Sequence, residues 1–222
     1  MPSYHPDTSI LNDYAAGSLQ TSVAIAVKAH MEMCAECRRQ VNQIENTGAF
    51  FLESSQSSVS GSLFDRLMNR INQDEQTVAN TEAASPATKY ESHSGLPTVV
   101  QKLLKQPIES INWRKLGKKL RFARIKTGDH INELAMYHIL AGGKVPHHRH
   151  KSDEITLVLK GSFSDEDGVY RKGDFILRTV GEKHSIAATQ NEDCLCLAVQ
   201  EKPIAFTGLF RLLNPLLKVE AS

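Results

Sequence analysis

The hydrophobic period of this chain changes once, near Leu96, and that change limits the fold to a helical part followed by an antiparallel β part. Before it, Leu11, Tyr14 and Ala15 share one helical stripe and Leu19, Val23, Ala26, Val27 and Ala29 another, with Gly17 and Ser18 between them as stop and start. Residues 7–52 contain no proline, and a third helix can follow Cys34, carrying Val41, Ile44 and Phe51. After Leu96 come the short runs LRFARIK, ELAMYHIL, EITLVLKGSF, DFILR, HSIAA and CLCLAV. They are parted by AGGKVP, DEDG and VGEK, which carry turn chemistry. Six or more short strands without long helices point to a sandwich or barrel. The expected fold is multidomain α + β: an N-terminal helical module and a C-terminal antiparallel β-barrel.

Between the two parts, residues 53–62 (ESSQSSVSGS) read as a serine-rich connector, and Leu63, Phe64, Leu67, Met68 and Ile71 then fall at helical spacing. Such an amphipathic helix either folds back on a neighbouring part or offers its face to a partner. From residue 73 to 95 the only large apolar side chains are Val78 and Tyr90, the composition of a flexible linker that spans about 25 Å as a random coil. The expected division is therefore 1–72 helical module, 73–95 linker and 96–222 β domain. The stretch 206–217 is apolar enough to pack, as strand or as helix.

Lys and Arg number 26 against 25 Asp and Glu, so no global field draws the chain onto nucleic acid or an anionic membrane. The run Arg114, Lys115, Lys118, Lys119 and Arg121 has only Trp113 as an aromatic companion and reads as a solvated face. No apolar stretch approaches the roughly 20 residues of a membrane span, and the start MPSYHPDTSI lacks the parts of a signal peptide. The expected location is the cytoplasm. There, four cysteines in two close pairs point to metal or redox chemistry rather than a disulfide framework.

The first pair carries a metal-ligand pattern. His30 and Cys34 stand one helical turn apart and Cys37 follows another turn on, so three ligand side chains converge locally. Two thiolates and imidazole suit a soft tetrahedral site, for which zinc is the usual ion. The fourth ligand expected is His5, the only other histidine in the first 92 residues. A site filled by four protein ligands has no open position, so it stabilises a small module and catalyses nothing. Taken alone, Cys34-Ala-Glu-Cys37 can also be a redox dithiol.

A second set lies in the β part. His148 and His150 are two apart, on one face of a strand; Glu154 opens the next strand, and His184 comes from a later strand that a barrel can bring to the same interior point. Three imidazoles and one carboxylate accept Zn²⁺, Mn²⁺, Fe²⁺ or Ni²⁺. His147 faces the opposite side of its strand, and His130 and His138 read as surface or core histidines. Cys194 and Cys196 share a strand face in a run apolar on both sides. They read as small core hydrophobes, with an oxidisable pair as the alternative.

These motifs resemble known families. The segment 142–161, Gly-x5-His148-x-His150-x3-Glu154-x6-Gly, is similar to the first cupin motif, and Gly173-x5-Thr179-x-Gly181-x2-His184 to most of the second. Thr179 stands where that motif has proline and Ala188 where it has asparagine. His5 with His30-Met-Glu-Met-Cys34-Ala-Glu-Cys37, preceded by Asp13-Tyr14-Ala15-Ala16-Gly17, resembles the zinc-binding anti-sigma domain. In that order, over nearly the whole chain, the two halves resemble the ChrR-type cupin anti-sigma factors.

The resemblance implies a zinc-dependent anti-sigma factor whose first module binds an extracytoplasmic-function sigma factor. It further implies a cupin, holding zinc or another divalent metal, that serves release under oxidative stress from singlet oxygen or organic peroxide. It also implies no catalytic residue and no direct contact with nucleic acid or membrane. The competing reading is a metal-dependent cupin dioxygenase or isomerase, whose open coordination position would take substrate. Such an enzyme leaves the first cluster unexplained.

Overall fold

The computed structural model describes residues 1–55, 60–79, 95–207 and 212. Four helices come first: α1 (Thr8–Ala15), α2 (Thr21–Met33), α3 (Ala35–Ser54) and α4 (Gly61–Ala79). A short helix α5 (Thr98–Leu104) leads through a 3₁₀ turn into the β part. Its strands are β1 (Arg114–Lys115), β2 (Leu120–Ile125), β3 (Glu133–Ile139), β4 (Lys144–Arg149), β5 (Glu154–Lys160) and β6 (Ser162–Ser164). They continue with β7 (Val169–Arg171), β8 (Phe175–Arg178), β9 (Lys183–Ala188), β10 (Cys194–Gln200) and β11 (Ala205–Phe206).

Met1–Glu45 with Ser92–Ser222 forms one compact unit, and Asn46–Glu91 another. Helix α4 continues through Gln73 to Ala79, so the first residues of the connector expected at 73–95 are helical; residues 80–94 lie outside those described. Of the apolar tail, Phe206 ends in β11, while most of the rest also lies outside them.

All strand pairs are antiparallel. They form a six-stranded sheet in the order β1-β2-β3-β10-β5-β8 and a five-stranded sheet in the order β11-β4-β9-β6-β7. The two stack into a cupin-like sandwich, and among the described residues no ladder joins them, so the expected barrel is not closed. The chain instead crosses between sheets at turns. Gly161, at φ +70°, carries it from β5 to β6; a Cβ there would lie 2.1 Å from the Asp193 carbonyl oxygen, so only glycine fits.

The middle strands β5 and β10 are buried along nearly their whole length. Inward-facing Val158, Cys194 and Cys196 meet Val145, Phe163, Tyr170, Ala188 and Phe206 of the second sheet. On the other face Ile155, Leu157, Leu159, Leu195, Leu197 and Val199 join a core with Leu11, Ala26, Val27, Ala29 and Met31. Helix α2 thus lies on the outer face of the six-stranded sheet, against β5, β10 and α5. This is how α1, α2 and the start of α3 gain a core they are too small to build alone.

Polar anchors fix α2 at both ends. At its start the Ser22 N–H donates to Asp129 Oδ2 at 3.0 Å, and the Ser22 and Thr127 hydroxyls meet at 3.1 Å. Near its end Glu32 accepts from the Thr98 N–H and from the Val99 N–H (3.2 Å), satisfying open donors at the start of α5.

Candidate metal centres

Cys34 separates α2 from α3, and the third helix follows it as the sequence leads one to expect. The Cys34 backbone is extended (φ −123°, ψ 105°), so α2 stops at Met33 and α3 starts at Ala35. The cause is capping. The Cys34 carbonyl accepts from the Arg38 N–H at 3.3 Å, and Cys34 Sγ accepts from the Cys37 N–H at 3.5 Å, as an N-cap side chain does. A thiolate at a helix N-terminus meets the positive end of the helix dipole.

The four residues expected from the first pattern come together. Ligand atoms of His5, His30, Cys34 and Cys37 all lie within 4.8 Å of one another. His5 Nδ1 is 3.4 Å from Cys34 Sγ and 3.5 Å from Cys37 Sγ, and His30 Nε2 is 3.3 Å from Cys37 Sγ. A tetrahedral zinc with ordinary Zn–S and Zn–N lengths has S···N edges of about 3.6 Å, close to these three, so the donor set suits that ion. Burial lowers the His30 pKa to about 4, keeping its imidazole neutral. Burial, then the neighbouring Cys34, pushes the Cys37 thiol up to about 12, so without a cation this thiol stays protonated.

The second set gathers between the sheets. His148 and His184 are directly paired across β4 and β9, and the ligand atoms of His148, His150 and His184 lie within 4.8 Å of one another. His150 Nε2 and His184 Nε2 are 3.0 Å apart. His148 Nδ1 donates to the Pro146 carbonyl at 2.9 Å and His184 Nδ1 donates to Asp165 Oδ2 at 2.9 Å, leaving Nε2 of each ring as the free lone pair. Across this gap a neutral His150 can donate its Nε2 proton to His184 Nε2, or both nitrogens can turn lone pairs to a cation. Burial holds His148 near pKa 3 and His150 near 4, so both rings are neutral, the state in which imidazole binds a metal ion.

Glu154 stands outside the ring of three nitrogens. Its Oε2 is 3.7 Å from His150 Nδ1, its Oε1 accepts from the Thr156 hydroxyl at 3.0 Å, and burial raises its pKa to about 7. Glu154 and His148 also line an apolar cavity of about 50 Å³ with Leu120, Ile139, Phe163 and Phe206.

Two partners of these rings escaped the sequence reading. Gly173, 143 residues from His30, offers the carbonyl that accepts from His30 Nδ1 at 2.7 Å. Asp165 holds both His184 and Arg178, the latter at 2.6 Å. Carboxylate and carbonyl acceptors behind metal-binding imidazoles fix the tautomer and strengthen the ligand. In the sequence DEDG reads only as a turn, so nothing there marks Asp165 as the partner of a histidine 19 residues on.

His147 does lie off the cluster, bonded to Thr207 Oγ1 at 2.8 Å, and His138 is held by Arg121 and Asp193. Cys194 and Cys196 are buried in the inter-sheet core with their sulfurs 3.6 Å apart, and all four cysteines are free thiols.

Two histidines at the end of one strand and a distant third, gathered between stacked antiparallel sheets with an acid at the start of the next strand beside them, are the arrangement of a cupin domain. Residues 102–204 match the family described as the ChrR cupin-like domain. The chain is 27% identical over 218 residues to the anti-sigma-E factor ChrR of Cereibacter sphaeroides, covering 97% of this chain and 98% of that protein. It also superposes on a chain of the crystal structure of Rhodobacter sphaeroides SigE in complex with the anti-sigma ChrR. There the TM-score is 0.71 and the identity 26%, over 90% of this chain and 99% of that one. Over nearly its whole length the chain is thus similar to the ChrR-type cupin anti-sigma factors. Among the described residues no helix is long and apolar enough to cross a membrane.

Proposed function

We propose that this chain is a zinc-dependent anti-sigma factor of the cytoplasm. In this reading residues 1–72 bind and silence an extracytoplasmic-function sigma factor, residues 73–95 are a linker, and residues 96–222 are the cupin that receives an oxidative signal, singlet oxygen or peroxide. His5, His30, Cys34 and Cys37 hold the structural zinc. His148, His150 and His184 hold a second divalent ion, zinc or another, which draws in the Glu154 carboxylate. The chain acts as a regulator and catalyses no reaction, and it touches neither nucleic acid nor membrane.

The observation that carries this reading is the full-length likeness to the SigE-bound ChrR chain. The character of α4 supports it as well, since Leu63, Phe64, Leu67, Met68 and Ile71 are exposed on one amphipathic helix. The enzyme alternative is favoured by one feature, the apolar cavity that reaches His148 and Glu154.

The test is retention of the host's extracytoplasmic-function sigma factors on the zinc-loaded full chain. Retention of one of them, lost after chelation of zinc and restored by zinc, is the expected result. A zinc-loaded, folded chain that retains none refutes the regulator, and turnover of a small apolar substrate by the metal-loaded cupin would put the enzyme in its place.

A further inference from the structure

The N-terminal arm, residues 2–5, runs between the two clusters and touches groups that support both. Asp174 Oδ1 accepts from the Ser3 N–H at 2.6 Å and the Tyr4 N–H at 3.2 Å, and the Phe175 N–H donates to the Tyr4 carbonyl at 3.0 Å. At Gly173 the fit is close: a Cβ there would lie 2.7 Å from Pro2 Cγ. This is the same Gly173 whose carbonyl takes His30 Nδ1. The next residue after Tyr4 is His5, which meets both cysteine sulfurs.

From Tyr4 the contacts continue toward the other cluster. The Tyr4 ring lies 4.8 Å from the ring of Tyr170. The Tyr170 hydroxyl accepts from Arg178 at 2.8 Å, Arg178 binds Asp165 at 2.6 Å, and Asp165 accepts from His184. His184 Nε2 faces His150. Every link is a direct hydrogen bond or ring contact, and most of the groups between the ends are at least partly buried.

We propose that residues 2–5 are a latch through which metal occupancy of the histidine cluster is felt at the cysteine cluster. With an ion at His148, His150 and His184, His184 is pinned, Asp165 and Arg178 are held, and Tyr170 offers a fixed seat for Tyr4. The seated arm then keeps His5 on the cysteines and Gly173 under His30. Loss or displacement of the ion frees His184, loosens that seat and makes the cysteine cluster more labile. By linkage the reverse holds: an occupied cysteine cluster tightens metal binding at the histidines. The proposal rests on the reading of both clusters as metal sites, and it supplies a route by which an event in the cupin reaches the module that silences the partner.

Cobalt distinguishes the sites, because only the cluster with Cys34 and Cys37 can give thiolate-to-cobalt charge-transfer absorption. The full chain, loaded with Co²⁺, is challenged with excess chelator and the decay of that band is timed in four forms: unaltered, Tyr4→Ala, His148→Ala and the double variant. Outer-sphere partners of metal-bound histidines are worth roughly 10-fold to 100-fold in affinity, so each single variant is expected to speed the decay about tenfold. The double variant is expected to be no faster than either, since both act through one path. Asp165→Asn, which keeps every ligand, replaces His148→Ala should that variant not fold. Decay within twofold of the unaltered chain in either single variant, or factors that multiply in the double, overturns the latch. A cobalt-loaded chain that behaves as expected but retains no sigma factor refutes the regulator alone, whereas failure of the thiolate band to form refutes both.

Discussion

Asp165 and His184 form a carboxylate–imidazole pair at 2.9 Å across 19 residues of chain, with the Asp165 side chain fully buried. Burial works against the Asp165 charge, but His184, the Asp167 N–H and Arg178 outweigh it and keep the carboxyl below its usual range. An ionised Asp165 is therefore available to hold the Nδ1 proton of His184 and leave Nε2 free.

Asp165→Asn keeps the shape and removes the charge. It is expected to weaken divalent-metal binding at the histidine cluster roughly 10-fold to 100-fold. Calorimetric titration of the metal-free chain reads this directly, and an unchanged affinity would show that Asp165 serves only Arg178.

The pH dependence of the metal-free chain has two limbs of opposite sign. His30 and His150 near 4 and His148 near 3 are depressed from 6.5, so below 6.5 the unfolded chain binds protons that the folded chain does not. Stability present above 6.5 is lost as pH falls toward 4. Glu154 is raised from 4.5 to about 7, so its contribution is present below 4.5 and lost as pH rises through 7. Thermal unfolding of the metal-free chain should show a midpoint that drops steeply from pH 6.5 to 4. Glu154→Gln should raise the midpoint at pH 8 and steepen the fall from pH 6.5 to 4.5, where Glu154 works against the histidines.

Metal binding at the first cluster must displace the proton that burial keeps on Cys37. Zinc titration at neutral pH is expected to release at least one proton per ion, seen as a binding enthalpy that varies with the buffer's ionisation enthalpy. Apparent affinity should fall about tenfold per pH unit for each proton released. A buffer-independent enthalpy would mean that the thiols are already ionised.

Much of this was legible because local spacing carries it. His148, His150 and Glu154 stand close together in sequence, at the end of β4, just past it and at the start of β5, and the alternation of CLCLAV on β10 shows a strand apolar on both faces. What covers the outer face was not legible, because Leu157 and Leu197 report only that something apolar meets them, not that it is α2. The start of a third helix after Cys34 was legible as well, but its cap was not, because four-residue spacing says nothing of Cys34 Sγ accepting from the Cys37 N–H. Gly173 and Asp174 were out of reach because their partners are a backbone segment and a histidine more than a hundred residues away.

The docking of α2 on the sheet carries a last prediction. Leu197 is fully buried on β10 in the core shared with α2, whereas Cys196 faces the second sheet from the same strand. Leu197→Ala opens a cavity and is expected to cost about 2–5 kcal/mol. If helices and sandwich share one core, that loss must lower the unfolding of both together: far-ultraviolet helix signal and the thiolate–cobalt band should disappear in a single denaturant transition, shifted to lower concentration in the variant. Separate transitions, with the cobalt band unmoved by Leu197→Ala, would mean that the cysteine cluster and its helices stand without the sheet.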